Sequence, residues 1–241
     1  MSGEGKRENL AQSAACGGPE HSHPSLFTLL PSPGLYPLIP SIRFLGLVEY
    51  EPTLQAMKQF TAARNAETRD EIWLLQHPSV YTQGLAGKPE HLLCANEIPV
   101  IKIDRGGQIT YHGPGQIIAY LLLDLRRWKL NVRELVRLME QAVIDLLAQH
   151  GVHAQGREDA PGVYVNDAKI ASLGLKIKNG CCYHGIAFNV DMDLVPFSFI
   201  NPCGFAGLRV TQAKDVGIRT PLNEIECQLV QNLVELLQQH L

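Results

Sequence analysis

The sequence has no run of basic residues and no interleaving of aromatic with basic side chains, which removes the usual footprint of a nucleic-acid surface. No apolar stretch reaches the length of a membrane span. The first residues show no basic patch followed by an apolar run, so a secretory leader is not expected. Glu4, Glu8 and Glu20 argue against a transit peptide, which is rich in arginine and poor in acid. Cysteine is sparse and unpatterned: Cys16, Cys94, Cys181, Cys182, Cys203 and Cys227 form no CxxC pair, and neighbours such as Cys181 and Cys182 bridge only through a strained ring. His21 and His23 are close together but lie in a stretch that reads as unfolded, so no structural metal is expected. No internal repeat is visible. With 21 basic and 24 acidic side chains the net charge is −3, and neither sign dominates. These absences leave a cytoplasmic protein with no cofactor as the expectation, acting as a monomer without nucleic acid or membrane.

What is present is material for one sizeable core: 241 residues, 45% of them hydrophobic. Residues 1–40 hold six of the fifteen prolines among serines and glycines and are expected to form a disordered tail. The folded part, residues 41–241, is predicted to open with the strand-like IRFLGLVEY and to turn helical from Pro52, where Leu54, Met57 and Phe60 recur at helical spacing. Ile72–Leu75 reads as a strand leaving through His77-Pro78, with His77 read as a turn residue capping backbone. The best helix is Val132 to Gln149, with Asn131 as its cap, Glu134 completing a capping box and Gly151 closing it. Gly162–Asn166, Lys169–Ile177 and Cys181–Val190 read as strands, and Asn179-Gly180 between two of them is a strong hairpin signal. Thr220 followed by Pro221 reads as a cap and first position of a last helix, with Ile225, Leu229, Leu233 and Leu236 on its apolar face. The fold class is therefore α+β: one mainly antiparallel or mixed sheet flanked by helices.

One stretch needs more than a structural explanation. RGGQITYHGPGQ, Arg105 to Gln116, lies between the apolar runs Val100–Asp104 and Ile117–Leu125, both predicted to be buried strands. Gly106, Gly107, Gly113 and Gly115 allow backbone to approach a ligand. A bulged hairpin with an incidental histidine is the plain alternative, but arginine, threonine, histidine and glutamine crowded into one turn favour a site.

That stretch, extended to Tyr120, resembles the signature of the lipoyl(octanoyl) transferase family through Arg105–Gly107, Thr110–His112, Gly113–Gln116 and Tyr120. Two further segments match in the same order, AKIASLG around Lys169 and NPCGFAG around Cys203, thirty-four residues later. The resemblance spans roughly residues 41–241 and implies a fold like that of biotin and lipoate protein ligases. It implies transfer of an octanoyl group from octanoyl–acyl carrier protein to a lysine of a lipoyl domain. The acceptors would be the lipoyl domains of 2-oxoacid dehydrogenase complexes and the glycine cleavage H protein.

The residues give this reading chemical substance. Lys169 opens an apolar alternating strand and is expected to share a face with Ala171 and Leu173. A lysine facing a dry pocket becomes usable as an acid or base; the common alternative is an edge lysine reaching solvent. Cys203 sits between Pro202 and Gly204 at a stiffened corner. A thiolate is the natural nucleophile toward a thioester, although most unpaired thiols are simply buried. Cys94 and Cys227 instead sit in or beside apolar runs. Cys203 and Lys169 are accordingly the expected catalytic pair. The expected substrate-binding residues are Arg105, Gly106, Gly107, Gln108, Thr110, Tyr111, His112, Ser172, Leu173, Gly174, His184, Gly185 and Ala187, with Tyr81 and Gln83 suggested more weakly by the resemblance. Arg126, Arg127, Lys129 and Arg133 are candidates for docking an acidic carrier. An ATP-dependent lipoate or biotin ligase and a non-catalytic carrier-binding module remain the alternatives. A nucleophilic thiol separates the transferase from the first, and dependence on Lys169 and Cys203 separates it from the second.

Overall fold

Strand β2 (Glu71–Gln76) and strand β6 (Gln116–Leu122) show why the centre of this protein is a sheet buried on both faces. Ile72, Leu74, Ile117, Ala119 and Leu121 join one apolar cluster, while Trp73, Leu75, Ile118, Tyr120 and Leu122 join another. The period of two in a pleated strand sends alternate side chains to opposite sides, and both sides are apolar here. A computed structural model of the chain describes residues 39–94 and 96–241. The expected tail at residues 1–40, with His21 and His23, lies outside the described residues except for its last two positions. Of those, Ile39 accepts a hydrogen bond from Arg69 Nε and Pro40 is buried.

The seven-stranded sheet runs β1 (Ser41–Leu47), β2, β6, β10 (Cys181–Asn189), β9 (Ala168–Lys178), β8 (Gly162–Val165), β7 (Gln155–Gly156). Only β1 and β2 are parallel in it, joined through helix α1 (Tyr50–Ala63); the other pairings are antiparallel. A smaller sheet sets β3 (Val80–Gln83) between β4 (Val100–Lys102) and β5 (Ile109–His112). Helices α2 (Val132–Gln149) and α3 (Leu222–Gln239) cover one face of the large sheet, and α1 covers part of the other through Tyr50, Leu54 and Met57. The expected α+β architecture is present.

Local rules explain much of this. Asn131 accepts from the Glu134 amide while the Glu134 carboxylate accepts from the Asn131 amide, so the predicted capping box of α2 is complete. Asn166 and Asp167, like Asn179 and Gly180, carry the paired positive φ angles of two-residue hairpin turns.

Four expectations are corrected. The opening strand stops at Leu47, and Tyr50 begins α1 two residues before Pro52. Strand β4 is not buried: Val100 is 41% exposed, because β4 lies at the edge of the small sheet. Helix α3 starts at Leu222 with Pro221 as the flanking residue, and its cap makes no side-chain hydrogen bond, so Thr220 does not cap it. Its fully buried stripe ends on Leu237, with Leu236 half-buried.

The chain between β6 and α2 is fixed by a buried charge cluster. The Asp70 carboxylate pairs with Arg64 and with Arg127, and accepts from Trp128 Nε1 at 2.7 Å and from the Asp124 amide at 2.9 Å. Removing one partner of a buried ion pair strands the others, at a cost of about 3–5 kcal/mol. Asp70→Ala is therefore expected to lower the urea-unfolding free energy by about that amount. A loss below about 1 kcal/mol would mean that water satisfies the stranded groups.

Candidate active site

A cavity of about 360 Å³ opens where the glycine-rich loop meets the large sheet, near the lower end of the range of about 300–1,000 Å³ common for small-molecule sites. Its walls are largely apolar, with Ile118, Leu173, Leu175, Ile186 and Ala187 among them. Of the residues expected from sequence, Arg105, Gly106, Gly107, Gln108, Thr110, His112, Ser172, Leu173, Gly174, His184, Gly185 and Ala187 all line it. Tyr111 does not. It packs in a separate cluster with Tyr81 and Phe197, and its hydroxyl meets Ser79 Oγ at 2.9 Å. Tyr81 is also buried there and donates to the Pro196 carbonyl, and Gln83 is absent from the cavity wall.

The polar side of the site is a hydrogen-bonded chain with a fixed direction. Arg105 Nη2 donates to the Thr82 carbonyl at 2.8 Å and to Thr82 Oγ1 at 3.0 Å. Thr82 Oγ1 lies 3.2 Å from His112 Nε2, and His112 Nδ1 lies 2.8 Å from Gln116 Oε1. Gln116 Nε2 in turn donates to the Tyr111 carbonyl and to Asn189 Oδ1. An amide oxygen only accepts, so His112 carries its proton on Nδ1 and takes the threonine proton at Nε2. Burial holds the His112 pKa down to about 3, with His77 adding to the effect. His77 bonds backbone as expected, but from a buried position: its Nδ1 donates to the Val48 carbonyl at 2.7 Å, and its Nε2 accepts from Tyr120 at 2.8 Å. Burial lowers its pKa to about 4. Tyr50 stacks on His112 with ring centroids 5.9 Å apart. At Gly115, φ is +85° and a Cβ would stand 1.9 Å from the Asp191 carbonyl oxygen, so the glycine is required by both backbone and space.

His184 sits in β10 at φ +64°, a conformation that costs a non-glycine residue on the order of 1–3 kcal/mol. Its Nε2 faces Asp104 Oδ1 across 3.6 Å, while Tyr183 donates to Asp104 Oδ2 at 2.6 Å and Lys58 lies 3.4 Å from the same oxygen. These neighbours, His184 first, hold the Asp104 carboxyl well below the usual carboxylate range against the opposing effect of burial. Burial lowers the His184 pKa, which Asp104 partly offsets.

Lys169 is 2% exposed. Its Nζ donates to the Pro161 carbonyl at 3.1 Å and lies 5.3 Å from the Tyr164 ring centroid. The expectation that it shares a face with Ala171 and Leu173 is overturned by a bulge. Val163 pairs with Ala171 but Tyr164 pairs with Lys169, which leaves Ile170 as the extra residue. Ile170 and Ala171 both join the core under α2, and Lys169 turns to the other face beside Tyr164. Cys203 lies in a short 3₁₀ turn, Pro202–Gly204, whose Gly204 backs onto Gln108 of the cavity wall; a Cβ there would stand 3.0 Å from Gln108 Cγ. The next residue, Phe205, lines the cavity.

Residues 49–234 match the lipoyl protein ligase A/B catalytic domain family. An octanoyltransferase of Nitrosomonas europaea is 68% identical over 194 residues, which cover 80% of this chain and 95% of that protein. The chain belongs to this family, among its octanoyltransferases. An octanoyltransferase of Chromobacterium violaceum is 62% identical over 192 residues, covering 80% of this chain and 93% of that one. In fold the chain is similar to a lipoate-protein ligase A bound with ATP, with a TM-score of 0.69 at 16% identity over 83% of this chain and 85% of that chain. It is also similar to the biotin protein ligase of Aquifex aeolicus, with a TM-score of 0.54 at 13% identity over 83% of this chain and 71% of that one. Like the octanoyltransferases it matches, the chain is an acyltransferase. Among the described residues, no helix is long and apolar enough to cross a membrane.

Other sequence expectations fare differently. Cys94 and Cys227 are exposed, whereas Cys182 is buried, its pKa pushed up to about 12 chiefly by that burial. Arg127 is committed to the Asp70 cluster and to the Thr68 and Ala66 carbonyls, and Arg126 is paired with Asp124. Of the four basic docking candidates, Arg126, Lys129 and Arg133 are exposed and Arg127 is half-buried. Tyr50, Tyr120, Asp159–Pro161 and Phe205 line the cavity without having been singled out as site residues. Tyr120 had a signal, since it closes the motif; Tyr50 had none, because only the long-range packing of α1 brings it there.

The buried histidines set an acid limit. Their folded pKa values lie below the unfolded value of about 6.5, so between pH 6.5 and 4 the unfolded chain binds more protons and stability falls as pH falls. Asp104 adds to the loss only below the normal carboxylate range, and the raised carboxyls of Glu140 and Glu226 oppose it. Urea unfolding should show roughly 2–3 kcal/mol lost per histidine between pH 6.5 and 4.5. A flat profile over that interval would show that neither ring is held neutral in the folded state, and half the loss that only one is.

Proposed function

We propose that this chain transfers an octanoyl group from octanoyl–acyl carrier protein to a lysine of a lipoyl domain through a thioester on Cys203. The observation that carries this reading is the conjunction of a buried lysine, Lys169, with an apolar cavity on whose wall the Cys203 turn abuts. Its high identity to proteins named octanoyltransferase supports the same transfer.

The Cys203 thiolate attacks the carbonyl carbon of the carrier thioester. The tetrahedral oxyanion is held by backbone N–H groups beside Cys203 or in the glycine-rich loop. Collapse breaks the bond to the carrier sulfur, which takes from Lys169 the proton of the Cys203 thiol and leaves as a thiol, and the octanoyl group remains on Cys203. The lipoyl-domain amine then attacks that thioester, an amide forms, and the Cys203 thiolate leaves. Lys169 takes the proton first from the thiol and later from the amine. The apolar walls receive the acyl chain. Arg105 and His112, tied to each other through Thr82, shape the polar wall rather than exchange protons with substrate. The acceptors are lipoyl domains of 2-oxoacid dehydrogenase complexes and the glycine cleavage H protein, met in the cytoplasm.

Two variants test the covalent step. Cys203→Ala is expected to give neither acyl-enzyme nor product when incubated with octanoyl–acyl carrier protein and followed by intact-mass spectrometry. Lys169→Ala should slow acylation by about a hundred- to ten-thousandfold, with partial recovery at raised pH as solvent forms the thiolate. Appreciable transfer by Cys203→Ala would sink the covalent mechanism, and a requirement for ATP in that transfer would establish the ligase chemistry instead.

A further inference from the structure

The loop between β7 and β8 belongs to both halves of the site. Asp159, Ala160 and Pro161 line the cavity, and the Pro161 carbonyl accepts from Lys169 Nζ. Two groups from elsewhere hold this loop. Glu140, on α2, accepts from the Gly162 amide through Oε1 at 2.8 Å. Tyr164 donates from its hydroxyl to the Ala160 carbonyl at 2.7 Å. The fit leaves no slack at Gly162, whose φ is +149° and where a Cβ would stand 2.6 Å from Lys169 Cε and 3.1 Å from Nζ. On the far side, Gly156 makes room for the carboxylate, since a Cβ there would stand 3.0 Å from Glu140 Oε2. Glu140 thus holds the amide of the same glycine against whose Cα the lysine end packs.

We infer that Glu140 is a positioning residue for Lys169, acting through the Asp159–Gly162 loop by pinning the Gly162 amide so that the Pro161 carbonyl keeps the lysine Nζ in place. This rests on the proton-transfer role of Lys169 proposed above. Glu140 is half-buried and touches none of the reacting atoms, so its contribution is geometric. Burial raises its carboxyl pKa, while Lys169 and Arg137 favour the charged form. Either protonation state offers an acceptor oxygen to the Gly162 amide, and so would a glutamine. The amide hydrogen bond, rather than the charge, is what the lysine depends on. Misplacing a catalytic group by about 1 Å costs up to about a hundredfold in rate.

The experiment measures acyl-enzyme formation by the full chain with octanoyl–acyl carrier protein, for wild type, Glu140→Ala, Glu140→Gln, Lys169→Ala and the double variant Glu140→Ala with Lys169→Ala. Glu140→Ala is expected to lower the rate at saturating donor by about ten- to a hundredfold, with half-saturation unchanged within about twofold. Glu140→Gln should stay within about threefold of wild type, and the double variant should be no slower than Lys169→Ala alone, since the two residues act as one unit. Wild-type rates in Glu140→Ala overturn the inference, as does a Glu140→Gln variant as slow as Glu140→Ala. So does a double variant slower than Lys169→Ala by the full Glu140→Ala factor. If Lys169→Ala itself matches wild type, the role of Lys169 fails and the inference falls with it, a result distinct from the other three. Glu140→Met, which keeps the stem but offers no acceptor, takes the place of Glu140→Ala should that variant not fold.

Discussion

The site depends first on a hydrogen-bond chain whose direction is dictated at its end by arginine, which can only donate. Arg105 gives its proton to Thr82, so the threonine hydroxyl is free to donate onward to His112 Nε2, and the ring must carry its own proton on Nδ1 toward Gln116. That choice fixes the Gln116 amide, whose nitrogen reaches Asn189, which donates to the Thr211 carbonyl. Thr82 and His112 belong to the small sheet, and Gln116 and Asn189 to the large one. The chain therefore locks the two sheets together at the cavity wall. It does so with a neutral histidine, since a second ring proton would have to displace a donor already in place. Buried polar networks are costly when partly satisfied, and here each named member has its partner.

Burial of the large sheet on both faces explains where the cavity forms. Strand β6 is buried along its whole length, with alternate residues feeding two clusters. An apolar run of this kind has no polar side, so nothing in the strand itself marks a binding face. Glycines line the cavity where neighbouring groups come close. Gly185 passes so close to β6 that a Cβ would stand 2.1 Å from the Ala119 carbonyl oxygen, and a Cβ at Gly174 would stand 2.9 Å from Arg105 Cδ. The first lets two strands approach as backbone, and the second makes room for the arginine.

Much of this was legible in the sequence wherever the governing rule is local. The Asn131–Glu134 box, the two hairpin turns, the stripe of α2 and the glycine-rich loop are each written within a few residues. Twelve of the thirteen expected binding residues line the cavity because the loop, β9 and β10 meet there. Tyr111 misled because its neighbours on both sides, Thr110 and His112, do line the cavity, and one step along a strand turns a side chain to the other face. Arg127 shows what a local reading lacks: only the fold brings Asp70 against it, whereas Arg126 stays exposed and pairs with Asp124 two residues earlier. The polar anchors Tyr50 and Glu140 sit on helices and gain meaning only from contacts made far along the chain, with His112 and Gly162 respectively.

The bulge at Ile170 shows most clearly what alternation alone cannot supply. An unbroken β9 would keep Lys169 on the face of Ala171, among the apolar side chains under α2. One extra residue leaves Ile170 and Ala171 together in that core and turns Lys169 to the side of Tyr164 and the Pro161 carbonyl. The sheet continues on both sides of the irregularity: Lys169 still donates its amide to Arg209 and accepts from the Thr211 amide, so the lysine backbone is held while its side chain is redirected. A fold common to proteins only 16% identical constrains the sheet and its two cores, not the chemistry at its edge. Here a single-residue change of register carries a charged side chain from the apolar face under α2 to the one where a carbonyl and a ring receive it.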